Sequence, residues 1–195
     1  MRRRDFERRL AASATFIQLA PEQIEALWRH YELVERWNAR INLTRVVELE
    51  EAVRVHYAES LFVAGRLPAE ARTVVDVGSG AGFPGLVIAV AKPAVRVTLL
   101  ESDLRKAAFL REASDWVPNI RVEARRSREV EGRWDAVVSR AVRAEEVMEL
   151  GERVAKWILL VGTAQPGESP GWSWTAEELP GQRGKLWIGE RGGGV

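Results

Sequence analysis

The chain has 195 residues, one domain by length, and its 46% hydrophobic content is enough to bury a full core. It contains no cysteine, which excludes a disulfide scaffold, a thiolate zinc site and any enzyme with a thiol nucleophile. The net charge is +1, from 29 Lys and Arg against 28 Asp and Glu, so no global basic field announces nucleic acid and any such contact must come from local clusters.

Residues 1–64 read as helices. The basic start (Arg2, Arg3, Arg4, Arg8, Arg9) is interrupted by Asp5 and Glu7, and Ser13, Thr15 and Gln18 make the next stretch too polar for a signal-peptide core. Pro21 suits a first helical turn, and Ile24, Leu27, Trp28, Tyr31 and Val34 come after it at helical spacing. Asn42 and Thr44 break that helix, and a second amphipathic run covers about Leu49 to Val63. No apolar run approaches the roughly 18–20 residues of a membrane span, so a cytoplasmic protein without a membrane partner is expected.

From Thr73 the grammar changes. The pattern predicts strands at Thr73–Val77, Val95–Leu100, Ile120–Ala124, Trp134–Ser139 and Trp157–Val161. Between them it predicts helices at Pro84–Ala91, Leu104–Trp116 and about Ala144–Lys156. Alternation of this kind implies an α/β fold with a parallel sheet and helices on both faces. Past Gly162 the chain is rich in Pro and Gly, with strand-like runs only at Trp172–Thr175 and Leu186–Gly189, which suggests an antiparallel edge. The expected division is a helical extension, 1–64, packed on an α/β domain, 65–195.

Asp76-Val77-Gly78-Ser79-Gly80-Ala81-Gly82-Phe83-Pro84-Gly85 follows a strand and opens a helix. Glycines there let backbone approach a ligand closely. Glu101 ends the next strand, 19 residues beyond Gly82, where a carboxylate can accept both ribose hydroxyls of an adenosine. Two cofactors compete for such a loop. Gly80-x-Gly82-x-x-Gly85 matches the dinucleotide pattern by letters. That pattern wants its first glycine at the strand's end, to aim a helix at pyrophosphate. Here that glycine is Gly78, and the matching third position is Phe83. Asp76 would repel a pyrophosphate, whereas it would favour the cationic S-adenosylmethionine. The methyl donor is therefore preferred, with a nicotinamide-dependent oxidoreductase as the rival. A plain tight turn would not need so many small residues.

Composition also prunes the methyl acceptor. Methylation at pyrimidine C5 normally needs a cysteine. Methylation of an exocyclic amine commonly uses an Asn/Asp-Pro-Pro-aromatic loop, where this chain has Ser139-Arg140-Ala141-Val142. Guanine N7 fits what remains, since its lone pair is free and no general base is required. Arg140, past the fourth strand, can hold guanine by its O6 edge or bind a phosphate; a surface ion pair is the bland alternative.

Five ordered motifs carry a resemblance. They are Trp37-Asn38-x-x-Ile41-Asn42-Leu43-Thr44, then His56-x-x-Glu59-Ser60, the glycine loop, Leu100-Glu101-Ser102 with Lys106 and Phe109-Leu110, and Ser139-Arg140-Ala141. Over about residues 20–160 the chain resembles the glucose-inhibited division protein B family, the bacterial 16S rRNA guanine-N7 methyltransferases. The resemblance implies a class I S-adenosylmethionine-dependent (Rossmann-like) fold and a guanine of the small ribosomal subunit as acceptor. It implies that Gly78 and Phe83 line the donor site and that Glu101 takes the ribose; Asp76, Gly80, Gly82 and Ser102 are expected in the same site. Arg126 and Ser127 match the pair flanking the adenine, and Arg140 matches the arginine near the methyl group. Three features depart from the family. Val161 stands where a lysine is usual, Val55 where an arginine often precedes His56, and the stretch 163–171 where a helix is expected. They motivate a second rival, a relative that binds the donor or RNA without turnover.

Other residues are weighed more blandly. His56 reads as a buried or boundary histidine that can approach the cleft, and His30 carries no functional expectation. Two histidines and no cysteine make a metal site unexpected. Asn38, Asn42 and Thr44 either tie the helical arm to the cleft or cap a helix. Trp172, Trp174 and Trp187 are expected to cover the sheet edge rather than stack RNA bases. Phosphate contacts are looked for in the N-terminal arginines and in Arg121, Arg125, Arg126, Arg128 and Arg133, the former being favoured.

Overall fold

Strands β1 (Thr73–Val77), β2 (Arg96–Leu100), β3 (Ile120–Glu123), β4 (Ala136–Arg140) and β5 (Trp157–Gly162) run parallel. With β6 (Trp172–Glu178) and β7 (Lys185–Arg191) they form one seven-stranded sheet in the order β3-β2-β1-β4-β5-β7-β6 in the computed structural model. The structure describes residues 1–163, 166–167, 169–181 and 184–192, so Ala164, Gln165 and Glu168 of the departing stretch 163–171 lie outside it. Because both faces of the parallel core are covered, its strands are buried along their length rather than on alternate residues. Val74, Val75, Ala136, Val137 and Val138 have no exposed surface. The connection reverses between β1 and β4, and an open α/β sheet offers its ligand crevice there, at the strands' C-terminal ends. The register sets those ends level: Val77 pairs with Leu100 on one side and Ser139 on the other.

The expected antiparallel edge is present, β5 pairing with β7 and β7 with β6. Its tryptophans Trp172, Trp174 and Trp187 pack on the sheet's second hydrophobic cluster. Strand β4 starts two residues later than its apolar pattern suggests. Asp135 is drawn off to the start of β1, its Oδ2 accepting from the Arg72 and Thr73 amides (both 2.8 Å) and from Thr73 Oγ1 (2.9 Å).

The N-terminal region builds an arm of helices α1 (Arg2–Ser13), α2 (Pro21–Asn38) and α3 (Leu49–Glu51), which continues through a π-helical stretch (Ala52–Ala58) into α4 (Glu59–Arg66). It covers the sheet-packing helices α5 (Gly85–Ala91) and α6 (Leu104–Ser114), while α7 (Ala144–Val154) lies against β4 and β5. One continuous apolar cluster runs from Phe6 in α1 to Leu186 in β7. Among the described residues, no helix is long and apolar enough to cross a membrane.

Candidate cofactor and active site

The glycine loop is shaped by backbone that a side chain would forbid. Gly78 and Gly82 have φ of 70° and 88°, and a Cβ on Gly78 would collide with Val142 from the loop after β4. Glu101 pins the loop. One carboxylate oxygen accepts the Gly80 amide (2.9 Å) and the other the Asp103 amide (2.8 Å), so one side chain holds together the loops that follow β1 and β2. A carboxylate has about four acceptor positions, and two remain.

Asp76 is fully buried beneath that loop. Its Oδ2 accepts the Gly85 amide at the start of α5 (2.9 Å), whereas Oδ1 has no hydrogen-bond partner. Burial pushes its pKa up to about 7, against the opposing pull of the Gly85 N–H. Asp76 thus braces the loop from below through one carboxylate oxygen and leaves the other open.

The arm supplies the other wall. His56, in the π-helical stretch, stacks on Phe83 (centroids 4.5 Å apart, planes at 20°). Arg140 donates to His56 Nδ1 (2.5 Å) and to the Val55 carbonyl (2.9 Å), and lies 3.8 Å from Glu59. Since an arginine only donates, Nδ1 is the acceptor and the proton sits on Nε2, which donates to Thr44 Oγ1 (2.8 Å). Burial first, and then the Arg140 charge, push the His56 pKa down to about 3. Arg140 is itself largely buried, which lowers its pKa while Glu59 and Asp76 hold it up, so it is no surface ion pair. Asn38 closes the 39–44 loop, its Oδ1 accepting the Leu43 and Thr44 amides and its Nδ2 donating to the Thr44 carbonyl. Asn38 and Thr44 thus order the arm's own loop and orient His56, Arg140 makes the link from arm to sheet, and Asn42 stays exposed.

The fold thus brings Asp76, the glycine loop, Glu101, Ser102 and Arg140 to the C-terminal ends of the neighbouring strands β1, β2 and β4. The Phe83 ring packs against the arm among His30, His56 and Tyr57, with the Arg140 guanidinium 5.4 Å from its centroid. Arg126 and Ser127 follow β3, with Ser127 Oγ donating to Glu146 of α7 (2.8 Å). His30 is the residue that sequence reasoning passed over. Fully buried, it donates from Nε2 to the Ala81 carbonyl (2.8 Å) inside the glycine loop and accepts from the Tyr57 hydroxyl at Nδ1 (3.0 Å). Burial pushes its pKa down to about 4, so it stays neutral and keeps this geometry. A histidine on the apolar face of α2 was its only sequence signal.

Four of the five N-terminal arginines are engaged within the arm, whereas Arg4 makes no ion pair with any described residue. Arg2 pairs with Glu35, Arg3 with Glu7 and Glu25, Arg8 with Asp5, and Arg9 with Asp5 and Glu50.

The crevice fits S-adenosylmethionine. Glu101 retains acceptor positions for a diol, and the buried Asp76 oxygen without a partner favours a cation above the loop. The fold is shared with a magnesium protoporphyrin IX methyltransferase from Synechocystis solved with S-adenosylmethionine bound (TM-score 0.57, 14% identity, 83% of this chain and 97% of that one). It is also shared with a ribosomal protein L11 methylase from Lactobacillus delbrueckii (TM-score 0.59, 13% identity, 72% and 80%). The fold is that of the class I S-adenosylmethionine-dependent methyltransferases. Residues 23–161 match the sequence family of the rRNA small subunit methyltransferase G, GidB, and the chain belongs to it. Relatives carrying that name include one from Syntrophobacter fumaroxidans, 40% identical over 66% of this chain and 62% of its own length. Another, from Dichelobacter nodosus, is 36% identical over 76% and 74%. The aligned part of this chain therefore spans less than two thirds of the first relative.

Proposed function

We propose that this protein transfers a methyl group from S-adenosylmethionine to N7 of a guanine in 16S rRNA of the small ribosomal subunit, acting in the cytoplasm. When bound, the donor supplies an electrophilic methyl group on a positively charged sulfur. Glu101 receives the ribose hydroxyls on the acceptor positions that its two amide partners leave open. Gly78, Gly80, Gly82 and the Phe83 main chain give the donor a surface without side chains, Ser102 lies beside the ribose, and Arg126 and Ser127 flank the adenine. Asp76 favours the donor's cationic end through the loop above it.

Arg140 places the guanine. Its guanidinium has five N–H donors. The contacts to Val55, His56 and Glu59 fix its plane and leave donors for the O6 edge or an adjoining phosphate. The observation that carries the choice of acceptor is the state of His56. The nitrogen base nearest Arg140 has its lone pair occupied and its pKa pushed down to about 3, so it cannot take a proton. N7 of guanine has no proton to give up and asks only for alignment with the methyl carbon and sulfur.

The test is transfer of label from S-adenosylmethionine to unmodified small subunits and to free 16S rRNA, with the product mapped by cleavage at N7-methylguanine. Label at one guanine is expected. Donor binding without label on either substrate would replace this reading with a non-catalytic relative, and absence of donor binding would end it.

A further inference from the structure

A second feature of the crevice's rim concerns the RNA rather than the donor. Between the 39–44 loop of the arm and the start of α6 lies a pocket of about 180 Å³ lined by Arg40, Ile41, Asn42, Asp103, Arg105 and Lys106. One wall is fastened to the donor loop, because the Asp103 amide donates to Glu101. The other is fastened to the Arg140 cluster, because the 39–44 loop ends at Thr44, the partner of His56. The pocket therefore adjoins both halves of the proposed active site.

Its charges are free to meet an anion. Arg40 and Lys106 make no side-chain hydrogen bond or ion pair with any described residue, and Arg105 approaches only Asp103, at 3.7 Å. Asp103, the one carboxylate present, caps α6, its Oδ1 accepting the Arg105 (2.8 Å) and Lys106 (3.2 Å) amides. Four of the five N-terminal arginines differ, since Arg2, Arg3, Arg8 and Arg9 all hold acidic partners. So does the pocket after β3, where Arg126, Arg128 and Arg143 face Glu145, Glu146 and Glu149 in equal number.

We infer that Arg40, Arg105 and Lys106 form a docking site for backbone phosphates of the substrate RNA, flanking the nucleotide presented to Arg140. The inference rests on the proposed RNA-methyltransferase function. Such contacts set register and affinity and carry no sequence information. They release counterions, so each adds about 0.7 to the slope of log affinity against log salt for a single strand.

The experiment measures binding of unmodified 16S rRNA and of an unrelated RNA of equal length across about 50–300 mM salt, alongside donor affinity. For R40Q/R105Q/K106Q the slope is expected to fall by about 2, and affinity for both RNAs by roughly tenfold or more. Donor affinity should change less than about twofold, which reports an intact fold. The single variant R40Q, at an exposed residue without a partner, should lose about a third of the slope change. R2Q/R3Q/R8Q should leave the slope as it is. A triple variant that keeps the wild-type slope while the wild-type protein methylates RNA overturns this site alone. A wild-type protein that binds the donor but neither RNA overturns the functional reading and the site with it.

Discussion

Asp76 is a buried carboxylate whose charge the empty fold disfavours. Its pKa, about 7 against an ordinary 3.8, means that the folded chain holds a proton that the unfolded chain has lost over that interval. Stability from this group therefore falls as pH rises from about 4 to 7 and is lowest above 7. A cation placed above the loop reverses the preference, because it stabilises the carboxylate. Donor affinity should accordingly rise with pH through about 7, and binding near pH 7 should release a fraction of a proton. Calorimetry in buffers of different ionisation enthalpy reads that release directly. The variant D76N keeps an oxygen for the Gly85 amide and removes the charge. At pH 8 it should melt at or above the wild-type temperature yet bind S-adenosylmethionine about tenfold more weakly. A D76N protein that is less stable and binds normally would show that the carboxylate is only a structural cap.

Among the elements, two helical glycines separate what a sequence can and cannot show. Gly65 in α4 and Gly85 at the start of α5 look alike as letters. In the structure, a Cβ on Gly65 would meet nothing within 4 Å, whereas one on Gly85 would lie 2.5 Å from both Asp76 Oδ2 and Leu99 Cδ2. G65A should stabilise the protein by about 0.5–1 kcal/mol through helix propensity and a less disordered unfolded chain. G85A should destabilise it by about 1–3 kcal/mol through overpacking, and it should weaken donor binding because α5 carries the end of the loop. Denaturation midpoints of the two variants check this, and a neutral G85A would mean that α5 can shift freely. The elements themselves were largely legible, since short β-branched runs alternating with helix-spaced segments, and the glycine loop, placed all seven strands to within a few residues. The electrostatic partners were less so. Asp5 and Glu7 sit at helical spacing from Arg8, Arg9 and Arg3, a local pairing signal that the reading of these arginines as phosphate contacts did not use. Glu25, Glu35 and Glu50 come to the same arginines only through tertiary contact. His30 escaped for a related reason: its acceptor is the main-chain carbonyl of Ala81, 51 positions away, and a carbonyl leaves no mark in the sequence.

For the whole molecule, the question is whether the arm is an appendage or part of one cooperative unit. Phe6 decides it most directly. This α1 residue has no exposed surface and packs edge-on against Trp28 (5.5 Å) and Tyr57 (5.2 Å), and Tyr57 in turn touches both His30 and Phe83. A change in α1 therefore reaches the glycine loop through two aromatic contacts, and α4 is joined to the antiparallel edge by the Arg66–Glu177 pair (2.8 Å). If arm and sheet share one core, F6A should cost about 3–5 kcal/mol. That corresponds to a fall of roughly 6–20 °C in a single transition for a chain of this size. Far-ultraviolet and near-ultraviolet circular dichroism should then give coincident midpoints. Saturating S-adenosylmethionine, at about a hundred times its dissociation constant, should raise the stability read by both probes by about 2.7 kcal/mol, although α1 lies outside the glycine loop. Helix signal that melts first and ignores the donor would instead mark residues 1–64 as a separately folding appendage. The arm's hold on Phe83 and Arg140 would then be a docked state rather than a built one.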